Sequence, residues 1–160
     1  MVEEKKKKTT IVLLSGDFDK LFAALTIATG AAALNMDVTI FHTFWGLRAV
    51  KKNVRTGKSL FGKMVGLIEG GDITKANPSK YGFLGFGRWM FGKMMKNKNV
   101  TSLVELRQLA LDLGVKMYTC QTSMEVMEIP RESLIDEVTD VVGVAFMLEE
   151  AQHSEFTLFV

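Results

Sequence analysis

A chain of 160 residues, 48% of them hydrophobic, is about one domain in length and apolar enough to bury a core without disulfides or metal. Its single cysteine, Cys120, excludes an intramolecular disulfide and any CxxC redox or zinc motif, and suits a reducing compartment. The net charge of +2 conceals an asymmetry: residues 56–98 hold eight Lys and Arg against Glu69 and Asp72 (net +6), Glu3–Lys8 adds +2, and the remainder carries −6. The opening MVEEKKKKTT lacks the apolar run of a signal peptide, and no window offers roughly 18 uncharged apolar residues, so a cytoplasmic protein without a membrane span is expected.

Thr10–Ser15 (TIVLLS) is a short apolar run ending at Gly16, which predicts a buried first strand after a basic tail over residues 1–8. Asp17 is placed to cap the next helix, where Phe18, Leu21, Phe22, Leu25 and Ala28 recur at helical spacing through about Asn35. Val38–Phe44 reads as the second strand, closed by Trp45-Gly46 and followed by a short helix over Leu47–Val54.

Residues 56–98 differ in character, with nine of the fourteen glycines together with Phe, Trp and Met. The stretch is too apolar for a disordered linker and too glycine-rich for an ordinary core helix. Within it, Phe83–Met95 projects as a helix with an apolar arc of Phe83, Phe86, Met90, Phe91 and Met94. The whole segment reads as an insertion.

Regular structure resumes at Thr101. Leu103, Leu106, Leu109, Ala110 and Leu113 mark a helix capped by Thr101 or Ser102 and stopped by Gly114. Strand Val115–Thr119, Cys120 and a short helix from about Ser123 to Glu128 follow, the last ended by Pro130. A fourth strand near Val138–Val141, a helix from about Gly143 to Gln152 and a strand over Glu155–Val160 complete the chain. Strands alternating with helices predict one α/β domain over residues 1–160, with a mostly parallel five-stranded sheet covered by helices on both faces.

In such a sheet ligands bind beyond the carboxyl ends of the strands. Gly16-Asp17, Trp45-Gly46, Cys120 and Val142-Gly143 fall there. Cys120 stands out chemically. Thr122 and Glu125 have capping-box spacing, so a helix N-terminus should lie close to the sulfur and favour a thiolate or persulfide anion. From residue type alone, a lone cysteine reads either as a buried apolar filler or as a nucleophile. Trp45 either walls the cysteine pocket or simply packs. Ser123 and Gln121 either hydrogen-bond a persulfide or serve the helix start.

The remaining candidates carry less. His42 has the parity of a satisfied core or near-core histidine, and His153 that of a helix-terminal cation. Two distant histidines and one cysteine give no metal-site spacing, so no metal is expected. Neither a Walker loop nor GxGxxG is present, so no nucleotide or other cofactor is expected. The acidic remainder of the chain argues against nucleic acid.

TIVLLSGDFDK, TIFHTFWGL, LVELRQLALDLGVKMYTCQTSMEVM and TDVVGVAFMLEEAQHSEFTLFV together resemble the DsrE/DsrF-like family, in particular a longer subgroup with an inserted segment. FWG and YTCQTSMEVM are the most specific pieces, with the cysteine where that family places its sulfur-carrying cysteine. The resemblance implies a flavodoxin-like fold, a sulfur carrier or sulfurtransferase with Cys120 as the catalytic residue, and homo-oligomers. It also implies donor and acceptor proteins such as rhodanese-like or small sulfur-carrier proteins. Gly16, Trp45, Gln121, Ser123 and Gly143 become the expected substrate-contacting residues. For residues 56–98 three roles stay open: a lid over the site, a subunit interface, or peripheral membrane contact. A non-catalytic module that docks a partner or membrane through this segment is the alternative reading.

Overall fold

The computed structural model describes residues 6–80 and 85–160. Five strands, β1 (Lys8–Leu13), β2 (Asp37–His42), β3 (Lys116–Cys120), β4 (Asp140–Val142) and β5 (Phe156–Phe159), form one sheet in the order β4-β3-β2-β1-β5. Every pairing is parallel. Among the described residues the α-helices are α1 (Phe18–Ala33), α2 (Leu60–Ile68), α3 (Phe86–Asn97), α4 (Leu103–Asp112), α5 (Gln121–Val126) and α6 (Val144–Gln152).

The strand order dictates the layers. From β1 to β4 the chain steps one way across the sheet, and right-handed crossovers then place the connecting helices on one face. The connection from β4 to β5 runs back the other way, which sends α6 to the opposite face. Side-chain parity agrees. Ile11, Leu13, Ile40 and Met117 join Leu21, Leu25 and Ala110 of α1 and α4 in the main core. Val12, Phe41 and Cys120 point to the other face, where Tyr118, Val142 and Met147 of α6 pack on them. This second layer is thin, and no residue of α6 is fully buried. Polar contacts help to hold it: Lys8 Nζ and the Thr39 hydroxyl reach the two carboxylate oxygens of Glu150 at 2.7 and 2.9 Å, and Thr10 Oγ1 lies 2.9 Å from Ser154 Oγ.

Local boundaries depart from the sequence reading in physically simple ways. β1 begins at Lys8, whose ammonium is engaged by Glu150, so the lysine run is not wholly solvated tail; Lys5 lies outside the described residues. The turn after β2 is a 3₁₀ helix over Phe44–Val50, starting earlier than the expected Leu47–Val54 helix. Asp17 occupies the N-cap of α1 without a capping side-chain bond, because its carboxylate accepts from the Ser15 hydroxyl. Ser102, not Thr101, caps α4, in a complete capping box with Glu105. The helix expected over Phe83–Met95 is α3, beginning at Phe86; Phe83 lies outside the described residues.

Residues 56–98 are tied to the body at several points. Ile73 and Ala76 belong to the main core. Arg48 pairs with Glu69 at 2.5 Å, and the buried Lys51 ammonium donates to the Glu69 carbonyl at the C-terminal end of α2. At the other end of α2, the Glu128 carboxylate accepts from the Lys58 and Ser59 N–H groups. Among the described residues, no helix is long and apolar enough to cross a membrane.

Candidate functional site

Cys120 closes β3 and is the N-cap residue of α5, which begins at Gln121. The expected capping role of Thr122 is therefore displaced by two residues: Thr122 and Ser123 lie within the first turn, and their N–H groups belong to the unpaired set of a helix start. Cys120 is only 8% exposed, and Ser123 is buried beside it.

The third wall comes from the neighbouring strand. His42 of β2 pairs with Thr119 of β3, so the next residue, Thr43, falls level with Cys120. Thr43 Oγ1 lies 2.7 Å from Ser123 Oγ, with both groups buried. Burial pushes the Cys120 thiol up. The bonded Thr43–Ser123 hydroxyl pair, which has one proton left to donate toward the sulfur, and the Ser123 and Thr122 N–H groups outweigh it, and the net position is below the ordinary cysteine value. The arrangement favours a thiolate without any neighbouring cation.

Two glycines bring the strand ends this close. A Cβ on Gly46 would stand 2.0 Å from the Leu13 carbonyl oxygen, and one on Gly16 would stand 2.6 Å from that of Trp45. The β1 and β2 loops thus interlock through bare backbone, with Gly46 N–H donating to the Leu14 carbonyl. Phe44, between Thr43 and this lock, takes a positive φ of 43°, which is uncommon for a bulky residue and found where the fold over-determines the backbone. Phe44 and Trp45 both project into solvent from the loop that carries Thr43.

The other expected contact residues divide among separate places. Gly16 and Trp45 line a cleft of about 440 Å³ with Ser15, Asp17, Arg48 and Glu69. Gln121 lines another of about 400 Å³ with Lys58, Glu125 and Glu128, and its amide donates to Glu125 at 2.9 Å. Gly143 is the N-cap of α6, with open space where a Cβ would stand. Ser123 alone of the five stands among the donors to the sulfur. Thr43 was not singled out from the sequence, although its place follows from aligning two parallel strands at their carboxyl ends. His42 is fully buried, as expected, but only half satisfied: Nδ1 lies 3.2 Å from the Gly46 carbonyl, while Nε2 has no partner among the described residues. His153 ends α6, its Nδ1 2.8 Å from the Glu149 carbonyl. No group of three or more His, Cys, Asp or Glu among the described residues could hold a metal ion.

The fold and site define a parallel α/β protein with a donor-lined thiol at the carboxyl end of an interior strand. The family it represents follows from comparison: residues 5–159 match the DsrE/DsrF/DrsH-like family, and the chain belongs to that family. YrkE of Bacillus subtilis (strain 168) is 40% identical over 159 residues, covering 98% of this chain and 99% of that protein. The sulfur carrier protein DsrE2 of Allochromatium vinosum is 31% identical over 160 residues, covering 98% of this chain and 99% of its own. The crystal structure of the ychN protein from E. coli superposes with a TM-score of 0.60 over 96% of this chain and 99% of that one, at 13% identity, and so shares the fold.

Proposed function

We propose that this protein is a sulfur carrier that holds a persulfide on Cys120 and passes its outer sulfur to an acceptor thiol. The observation that carries the reading is the set of donors from Thr43, Thr122 and Ser123 around a sulfur whose pKa they lower. Family membership and the 31% identical sulfur carrier of Allochromatium vinosum support it.

The chemistry is redox-neutral. The Cys120 thiolate attacks the outer sulfur of a donor persulfide, R–S–SH. A new S–S bond forms at Cys120 while the donor's S–S bond breaks, and its electron pair leaves on RS⁻, which takes up a proton. An acceptor thiolate then attacks the terminal sulfur, and the Cys120 thiolate is the leaving group. The donors that stabilise that thiolate make it a better leaving group in the second step. Persulfidation also places the transferable sulfur about 2 Å beyond Sγ, which suits a cysteine lying just beneath the surface. With one thiol in the chain, donor and acceptor are separate molecules, such as rhodanese-like or small sulfur-carrier proteins.

Intact-mass measurement after incubation with a persulfidated rhodanese or polysulfide tests the proposal. The expected result is a gain of about one sulfur atom, removed by reductant and absent from Cys120→Ser. No adduct under conditions that load a control rhodanese would overturn it.

A further inference from the structure

Helix α2 is built inside out. Its inner face is Gly62, Val65 and Gly66: the two glycines are buried, Val65 packs half-buried against the main core, and a Cβ on Gly66 would stand 2.1 Å from the Thr56 carbonyl oxygen. Its other apolar side chains, Leu60, Phe61, Met64, Leu67 and Ile68, recur at i, i+1, i+4, i+7 and i+8 and form one stripe. That stripe faces away from the body, with exposures from 51% (Met64) to 81% (Leu60). An ordinary surface helix has the opposite arrangement, apolar stripe inward and polar face outward. Close backbone contact through glycine holds α2 in place while leaving its apolar face for something else. Helix α3 adds Phe86, Trp89 and Met94, each more than half exposed.

The charge around these side chains identifies the partner. Lys58, Lys63, Lys93, Lys96 and Lys98 flank or lie on the two helices, and none makes an ion pair among the described residues. The two acids of the segment are engaged elsewhere, Glu69 by Arg48 and Asp72 by the N–H and hydroxyl of Thr74. Glu128, at the N-terminal end of α2, is engaged by the Lys58 and Ser59 N–H groups, so the charge left available around the stripe is positive. Pairing this face with itself in a second copy would set like charge against like, and an anionic surface complements it. A lipid surface also accepts a ragged row of Leu, Phe, Met and Ile without demanding a matching shape.

We propose that α2, with α3 beside it in the chain, docks this protein on an anionic lipid surface. The stripe enters the boundary between headgroups and acyl chains, and the lysines lie at the headgroups. Nine residues of helix span about 14 Å, under half of a hydrocarbon core, so α2 lies on the membrane and does not cross it. The net −6 outside this segment and the tail is repelled by the same surface, which orients the protein with α2 downward. None of this depends on the chemistry of Cys120.

The 160-residue chain carrying Trp45→Phe has Trp89 as its only tryptophan. Mixed with phosphatidylglycerol-containing vesicles at low salt, it should co-sediment, and Trp89 emission should shift to the blue. Binding to pure phosphatidylcholine vesicles should be at least tenfold weaker, and high salt should release the protein. Adding Phe61→Ser and Leu67→Ser should lower binding at least tenfold while leaving the melting temperature unchanged, because both side chains are already solvent-exposed. Cys120→Ser should bind like the wild type, which separates this proposal from the sulfur reading. Absence of binding to anionic vesicles at low salt, or equal binding by the double serine variant, would overturn it. A concentration-dependent dimer that the serine variant abolishes, without vesicle binding by either protein, would assign the stripe to a second copy instead.

Discussion

Thr43 and Ser123 are 80 residues apart in sequence, yet their hydroxyl oxygens lie 2.7 Å apart, on the side of Cys120 where β2 ends and α5 begins. Each hydroxyl has one proton to give. One proton is spent on the bond between them, leaving the other for the sulfur. The pair thus acts as one relay in which either residue fixes the orientation of its neighbour.

Removing either hydroxyl should raise the Cys120 pKa. Thr43→Val preserves shape and Ser123→Ala removes a single atom, and losing one such bond is worth about 0.5–1.5 kcal/mol, or roughly 0.4–1 pH unit. The midpoint of iodoacetamide alkylation against pH should move upward by that amount in each variant. The double variant should move less than the sum, because the two hydroxyls act together. A midpoint that stays fixed in both variants would show that the helix start alone holds the thiolate.

Gly46→Ala should disturb both stability and the thiol. The new methyl group would stand 2.0 Å from the Leu13 carbonyl oxygen and 2.7 Å from its carbon, both backbone atoms that cannot rotate aside. Overpacking of this kind costs about 1–3 kcal/mol, and the displaced loop carries Thr43 with it. Gly30→Ala is the contrasting case: it lies within α1 with nothing inside 4 Å of the new Cβ, and should be neutral or stabilising by about 0.5–1 kcal/mol. Thermal melts of the two variants, with thiol titration of the first, check this; equal melting temperatures would sink it.

The sheet was legible because its signals are local. Strand-length apolar runs, Gly114 at φ 80° behind α4, and the Ser102–Glu105 capping box all announce themselves within a few residues. The parallel arrangement followed from alternation of strands and helices. The site was legible only in part. Cys120 and Ser123 lie three residues apart, but Thr43 reaches the sulfur through β2–β3 register, a non-local fact that no spacing in one strand reveals. The start of α5 was misplaced because Cys120 itself takes the N-cap position, for which it is not a favoured residue type. Helix α2 was not among the expected elements, because its glycines argue against an ordinary core helix. Helical spacing is present in its apolar residues, but only tertiary contact shows that Gly62, Val65 and Gly66, not the stripe, face the body.

Glu150→Gln should loosen α6 from the sheet. Burial pushes the Glu150 carboxyl up, and the bonds and charge from Lys8 and Thr39 pull it down further, so its net position is below the usual value. A depressed carboxylate stabilises the fold above its unfolded pKa, about 4.3, and that contribution is lost as pH falls through the lower folded value. Glutamine keeps a hydrogen bond to Thr39 but loses the charge on Lys8, at a cost of about 1–3 kcal/mol near neutral pH. Denaturant melts should show the loss at pH 7 shrinking toward pH 3. A deficit that persists unchanged at low pH would point to packing, not charge.

His42 should make the fold acid-sensitive in a different window. Burial pushes its pKa down to about 4, with Arg107 adding to the effect and the Gly46 carbonyl opposing it. A carbonyl only accepts, so Nδ1 bears the proton of the neutral ring and Nε2 is left as a buried lone pair. In the unfolded chain the same ring titrates near 6.5, so between pH 6.5 and 4 the unfolded state binds the extra proton. The contribution of the neutral ring is fully present above pH 6.5 and erodes as pH falls toward 4, by an amount on the order of 3 kcal/mol. His42→Asn keeps a donor for the Gly46 carbonyl and cannot titrate. Its stability should be lower at pH 7 because the shorter side chain leaves space, but nearly flat from pH 6.5 to 4.5, where the wild type loses stability steadily. Urea melts across that range decide the matter, and a wild-type slope retained in the variant would assign the acid sensitivity to other groups.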